Sequence, residues 1–348
     1  AWWYASRAWT PAILGSDGSP LRGSVAALEK VRLGATDQWI LARGRDAHNP
    51  VLLFLADGPG GSELPLPRHY HAPLEERFVT VAWDQRGAGK SYRAAAPQAH
   101  LTVERIVQDC GELLSILADR SGGAPLYLVG RGWGGIIGLL AAQRWPDRVR
   151  AFVGVAPQVN FHESDALAYR RTLEAARHAR DIPATTALEG IGEPPYAGPG
   201  SAVRYHSLAR MQQRFGGSTL SRAVDGDAEH LLGRAPEYSV RDRVRLARGR
   251  RRTLDALRPH LAAIDLERDV PRVEVPVYFI LGRRDLTAPP EIAERYFGAL
   301  AAPHKELFWF EDAGHAPAIE DAARFNLLAV SRVLRGPRRT PVPSEARG

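Results

Sequence analysis

PLYLVGRGWGGIIGLLAAQRWPDRV, Pro125 to Val149, carries three structural signals in a row. Leu126 to Val129 reads as a short strand buried on both faces, and Gly130-Arg131-Gly132-Trp133-Gly134 is rich enough in glycine to demand a tight turn. The small and apolar residues that follow read as a helix packed closely on its neighbours. Strand, sharp turn and helix in this order form the frame of a G-x-S-x-G nucleophile elbow, whose central residue stands at the top of a parallel sheet. Here the central residue is Gly132, so the frame is present without its hydroxyl.

The flanking sequence repeats the same alternation. Residues 27–44 read as two antiparallel strands around a turn at Gly34 to Asp37, and PVLLFLAD (50–57) and RFVTVAWDQ (77–85) as strands buried on both faces. A helix over 101–119, the elbow, and VRAFVGVAP (149–157) follow. VPVYFILGRRD (275–285), a helix near 290–300, KELFWFEDAGH (305–315) and a closing helix near 321–335 resume the pattern. Repeated strand-helix units predict an α/β fold, a doubly wound and mostly parallel sheet with helices on both faces. Between 159 and 268 the chain turns to alanine- and arginine-rich helical stretches broken by EPPYAGPGS and RFGGS. The expected organisation is a discontinuous core, 1–158 with 269–335, an inserted helical cap at 159–268 that excludes water from the strand ends, and a mobile tail at 336–348.

Bulk properties narrow the function classes. With 348 residues, 45% of them hydrophobic, the chain can bury a large core. The single cysteine, Cys110, excludes an internal disulfide framework and reads as a core thiol, and no Cys/His group has zinc-ligand spacing. The net charge of +7 comes mostly from scattered arginine, without the reader fold or aromatic-basic interleaving that a nucleic-acid site needs. No apolar run is long enough to span a bilayer. The chain starts AWWYASRAWTP without an initiator methionine, so a removed signal or anchor segment stays open beside a cytoplasmic location. GRGWGG lacks the lysine and spacing of a phosphate loop, and the expected chemistry is cofactor-free and metal-free on a small molecule.

In such a sheet ligands bind outside the carboxyl ends of the strands. Asp285 lies just past one predicted strand and His315 past the next, in the chain order elbow, acid, histidine expected of a catalytic triad. An aspartate on one imidazole nitrogen leaves the other free to handle a proton. The loop ADGPGGSE after strand 50–55 is placed to offer the Gly58 amide, and the elbow to offer the Trp133 amide, to an oxyanion.

Together QWILARGRDAHNPVLLFLADGPGGSELPLPRHY, VAWDQRGAGKSY, LVGRGWGG, LGRRDLTAP and AGHAP resemble the proline-iminopeptidase-like branch of the α/β-hydrolase superfamily, from about Thr10 to Leu334. The resemblance implies the α/β-hydrolase fold and, for its peptidases, acidic cap residues that hold a substrate amine. Two departures fall at the chemical centre: the H-G-G-P-G loop of that branch is Ala56-Asp57-Gly58-Pro59-Gly60 here, and the elbow carries Gly132.

Three readings follow. In the first, His315 is a general base and Asp57, its pKa raised by desolvation under the cap, a proton donor facing it, for non-covalent cyclisation, elimination, isomerisation or direct water addition. In the second, the fold is a pseudo-hydrolase that binds a ligand or partner. In the third, Gly132 is a trapping substitution in an ordinary hydrolase. Trp83, Trp133, Tyr92, Phe161 and Tyr196 are the expected walls of a largely apolar pocket, and Glu163 or Asp165 the expected anchor for a substrate amine.

Overall fold

A computed structural model describes residues 8–93, 100–198, 200–216, 228 and 230–337. Eight strands form one sheet: β1 Val25–Leu33, β2 Thr36–Gly44, β3 Val51–Leu55, β4 Val79–Asp84, β5 Leu126–Arg131, β6 Ala151–Val155, β7 Val277–Gly282 and β8 Lys305–Phe310. Their order is β1-β2-β4-β3-β5-β6-β7-β8. β2 runs antiparallel to both β1 and β4, and every pairing from β4 to β8 is parallel. The continuous apolar runs noted in the sequence are the central strands, buried residue after residue in β4, β6 and β7. That is the pattern of a sheet covered on both faces.

One face packs against Val103–Arg120 and the elbow helix Trp133–Arg144, where Ile136, Ile137, Cys110 and Phe152 are wholly buried. The other face packs against Ala322–Leu328 through Phe325, Tyr127 and Tyr278. Thr102 caps the first of these helices by accepting the Arg105 amide, which satisfies one otherwise orphaned donor. Burial raises the Cys110 thiol to about 12, so it stays protonated and inert.

Strand order sets the location of the site. The chain leaves β3 for β4 on one side and returns to β5 on the other, so β3 and β5 are neighbours at a topological switch point. Their register pairs Leu55 with Gly130. Two residues beyond that pair, side by side and level, lie Asp57 and Gly132. On the far side, β7 and β8 pair Gly282 with Phe310, and their following loops carry Asp285 and His315.

Between β6 and β7 the described residues form helices and no strand, including Phe161–His178, Ile182–Ile191, Ser201–Arg214 and Val240–Leu261. The last of these opens with a capping box from Ser239 and Asp242, and Asp242 also receives Lys90 Nζ at 2.7 Å. Just before it, Glu237 pairs with Arg68 at 2.7 Å and the Tyr238 hydroxyl meets Ser62 Oγ at 2.6 Å. These contacts seat the insertion on the segments that follow β3 and β4. No helix among the described residues is long and apolar enough to cross a membrane. Most of the expected mobile tail, 338–348, lies outside the described residues.

Candidate active site

Gly132 sits at the N-cap of the elbow helix with φ +50° and ψ −112°, a left-handed backbone that L side chains rarely adopt. Its turn is pinned by backbone bonds: Gly132 N donates to Val155 O at 3.0 Å, and Gly132 O accepts from Gly135 N at 3.0 Å and Gln158 N at 3.1 Å. Gly134 is required for a different reason, since a Cβ there would stand 2.1 Å from Leu55 O. The elbow helix therefore packs directly on the end of β3 and brings Trp133 N to the loop beyond it.

That amide has an occupant. Asp57 Oδ1 accepts from Trp133 N at 3.1 Å and from Gly58 N at 2.8 Å, the two amides expected to form an oxyanion cradle. A Cβ built on Gly132 would lie 2.1 Å from Asp57 Oδ1 and 3.1 Å from His315 Nε2. The carboxylate thus fills the volume that a side chain at position 132 would enter. The substitutions at positions 57 and 132 are spatially one event.

Asp57 Oδ2 points the other way, 3.4 Å from His315 Nε2 and 3.3 Å from Arg131 Nη1. His315 Nδ1 lies 2.7 Å from Asp285 Oδ2. Asp285 is held in turn by the amides of Thr287 and Ala288, which donate to Oδ1 at 2.7 and 2.9 Å. The histidine loop is fixed by Glu320, which accepts the amides of Gly314 at 3.0 Å and Ala316 at 3.2 Å. Glu63 completes the far end by pairing with Arg131. Glu63, Arg131, Asp57, His315 and Asp285 form a row of alternating charge.

The row sets the protonation states. Burial alone would raise the Asp57 carboxyl, but Arg131, then His315 and the Trp133 amide, outweigh it and hold Asp57 well below the usual carboxylate range. The expected rise in its pKa is therefore overturned, and with it the role of Asp57 as resting proton donor. Burial likewise pulls His315 down, but Asp285 and then Asp57 override it and lift the imidazole to about 10. At neutral pH the resting pair is a carboxylate facing an imidazolium, so the proton sits on the opposite partner from the one expected.

A stability test follows from the sign of this shift. A histidine raised from 6.5 to about 10 contributes stability that is full below the lower value and is lost as pH rises through the upper one. The melting-temperature gap between the wild type and His315→Gln is expected to be widest at and below about pH 6.5, to shrink steadily as pH rises from there, and to be lost by about pH 10. A gap that stays constant over this window would show that His315 is not charged in the folded protein.

The remaining expected site residues separate. Trp83 and Arg131 line a cavity of about 40 Å³ beside Ala56, closed mainly by Phe54, Leu66 and Ile319. Trp133 is wholly buried, its indole donating to Gln85 Oε1 at 2.9 Å, and it serves the site through its amide. Tyr92 lies against Gly249 of the insertion, Phe161 packs on the main core, and Tyr196 donates to Gly192 O at 2.7 Å inside a helical cluster. None of these three lines the cavity beside Ala56. Glu163 is an outer-surface residue paired with Arg295 at 2.6 Å, which removes it as an amine anchor. Asp165 faces Tyr205 and Arg258, and burial raises it to about 6. Ser91 is structural: it donates to Asp84 O at 2.6 Å and accepts Trp39 N at 2.9 Å. Arg131 and Glu63 went unnoticed in the sequence, although a charge closing an otherwise apolar strand was a signal for Arg131. Among the described residues no group of His, Cys, Asp and Glu could hold a metal ion.

The doubly wound sheet, the elbow after β5 and the Asp285/His315 pair beyond β7 and β8 define a protein of the α/β-hydrolase class. The family model for the alpha/beta hydrolase fold matches residues 50–322, and the chain belongs to that family. It is 30% identical over 306 residues to the probable aminopeptidase YbaC of Bacillus subtilis (strain 168), covering 88% of this chain and 96% of that protein. Among solved structures it is similar to a proline iminopeptidase-related protein of Thermus thermophilus, with a TM-score of 0.60 and 23% identity over 88% of this chain and 98% of that one. Proline iminopeptidase of Mycobacterium smegmatis gives a TM-score of 0.61 and 17% identity, over 87% and 96% of the two chains. At these identities the structural matches speak for the fold alone.

Proposed function

We propose that this protein is a cofactor-free enzyme of the α/β-hydrolase family that works without a serine nucleophile, using the charged pair of Asp57 and His315 to add water to a small, largely apolar molecule. One observation carries the reading: Asp57 Oδ1 occupies the space where a side chain at position 132 would begin, while Oδ2 faces His315 Nε2 at 3.4 Å. The family's proton-handling histidine is thereby paired with a carboxylate instead of a hydroxyl. With the protonation states above, His315 gives a proton and Asp57 supplies the electron pair. Elimination, isomerisation and cyclisation use the same couple. Asp285 orients the imidazole and stabilises its charge.

The trapped-hydrolase reading is disfavoured by the same geometry. A serine at position 132 would collide with Asp57, so restoring it alone does not rebuild an ordinary site. The ligand-binding reading draws on the self-filled cradle, yet it gives no use for the buried Asp285/His315 pair.

Two measurements test the proposal together. A fluorophosphonate probe, which labels activated serines, is expected to leave the wild type unmodified. In a screen of small apolar substrates, Asp57→Asn and His315→Gln are each expected to lose about 10² to 10⁴ in turnover. Stoichiometric labelling, or turnover indifferent to both substitutions, would defeat the reading.

A further inference from the structure

The helix Val240–Leu261 of the insertion carries eight arginines and two aspartates in 22 residues. One face fastens it to the core. Asp242 receives Lys90 Nζ at 2.7 Å, Thr253 Oγ1 donates to Gly87 O at 3.1 Å, and Leu257 is wholly buried. Gly249 lets the helix backbone approach closely, since a Cβ there would stand 2.8 Å from Gly87 O. With one face held in this way, the opposite face is fixed outward.

At about 3.6 residues per turn, that outward face consists of Val240, Val244, Arg248, Arg251 and Asp255, with Arg241 at its edge. All six are exposed. Val240 and Val244 leave 66% and 56% of their surface open, and Trp9, whose amide donates to Pro236 O at 3.0 Å just ahead of the helix, leaves 55%. Arg241, Arg248 and Arg251 meet no carboxylate among the described residues. Exposed arginines elsewhere, Arg144, Arg170 and Arg295 among them, are paired with glutamates.

A single exposed valine needs no explanation. Here two valines and a tryptophan stand among unpaired cations on a face that the core holds rigid. A phosphodiester backbone would satisfy the arginines and leave these apolar side chains in water. A bilayer surface answers both halves of the pattern, because anionic headgroups attract the arginines while the apolar side chains enter the boundary beneath them.

We infer that the outward face of Val240–Leu261, with Trp9 beside it, docks on a membrane surface rich in anionic lipid. The inference does not depend on the water-addition reading above. Asp255 opposes the attraction but lies about 22 Å along the axis from Val240, so docking is centred on the first three turns. Beneath the helix runs the loop after β3: a Cβ on Gly60 would stand 2.8 Å from Thr253 Cβ and 3.0 Å from Arg250 Cα. The docked helix therefore stands between the lipid and the loop that carries Asp57.

Cosedimentation of the wild type with vesicles tests this, using phosphatidylcholine alone and phosphatidylcholine with phosphatidylglycerol in equal parts. The protein is expected to partition onto the mixed vesicles and not the neutral ones, more weakly as salt is added. Arg241→Glu/Arg248→Glu/Arg251→Glu is expected to lower the partition coefficient by about 10²-fold or more, since each arginine at such a surface contributes about five-fold. Lysine at the same three positions is expected to bind as the wild type does, because the surface reads charge and not the planar fork of a guanidinium. Val240→Ser/Val244→Ser keeps every charge and is expected to lose about ten-fold. Equal binding to both kinds of vesicle, binding to neither, or binding unchanged by charge reversal would overturn the inference. So would binding that ignores the valine substitutions and is matched on soluble polyglutamate, which would assign the face to an acidic protein.

Discussion

Gly132→Ser is expected to lower the melting temperature and to create no esterase, whereas the double variant Asp57→Gly/Gly132→Ser gains ester hydrolysis. In the single variant the new Cβ would meet Asp57 Oδ1 at 2.1 Å, a separation real side chains do not tolerate. Asp57 cannot simply yield, because its carboxylate is tied to two amides, Arg131 and His315. Overpacking of this kind costs about 1–3 kcal/mol, and displacing a charge from its partners adds to it. Serine in the left-handed turn costs a further amount, about 1–3 kcal/mol, but this is common to both variants. A double-mutant cycle that adds Asp57→Gly alone isolates the collision from the loss of the carboxylate's own bonds. Replacing Asp57 by glycine, the residue of the family's H-G-G-P-G loop, empties the cradle and frees both amides for an acyl oxyanion. Hydrolysis of p-nitrophenyl acetate by the double variant is expected to exceed that of Gly132→Ser by about 10³-fold or more. Equal melting temperatures for Gly132→Ser and the wild type would show that Asp57 leaves the elbow readily, contrary to the network that ties it down.

This coupling was the part of the site that the sequence concealed. The elbow was legible because its glycines are forced by close approaches, such as that of Gly134 to Leu55 O, and because β5 is a short apolar run before a tight turn. Asp285 and His315 were legible because each lies just past a predicted strand, β7 and β8. Asp57 and Gly132, in contrast, appeared as two separate departures. Only the parallel register of Leu55 on Gly130 brings them level.

The charge states were hidden for a related reason. Desolvation of Asp57 was foreseeable, but the sequence gives no sign that Arg131, at the second position of the elbow, turns its guanidinium between Asp57 and Glu63. A cation in van der Waals reach outweighs burial, and the direction of the shift reverses. Three of the aromatic residues lie away from the cavity beside Ala56. Tyr92, Phe161 and Tyr196 are spaced like any half-buried residues, and periodicity does not tell a pocket lining from a packed seam.

Asp285→Asn is expected to reduce turnover by about 10⁴-fold while leaving the carboxylate and imidazole in place. The reason lies in the hydrogen bonds around Asp285. Its Oδ1 accepts the amides of Thr287 and Ala288, so in the variant the amide oxygen must stay on that side and the NH2 must face His315. A donor aimed at Nδ1 makes that nitrogen an acceptor and places the neutral ring's proton on Nε2. Neutral His315 then points a hydrogen at Asp57 and has no lone pair there for water, so any step that needs it as a base is blocked. Loss of Asp285, the leading cause of its raised pKa, is also expected to bring the imidazole down from about 10. Imidazole proton resonances followed against pH check this without any substrate. A shifted titration with lost turnover would make Asp285 the residue that sets the tautomer and charge of His315, and a titration unchanged from the wild type would assign that control to Asp57 and Arg131 instead.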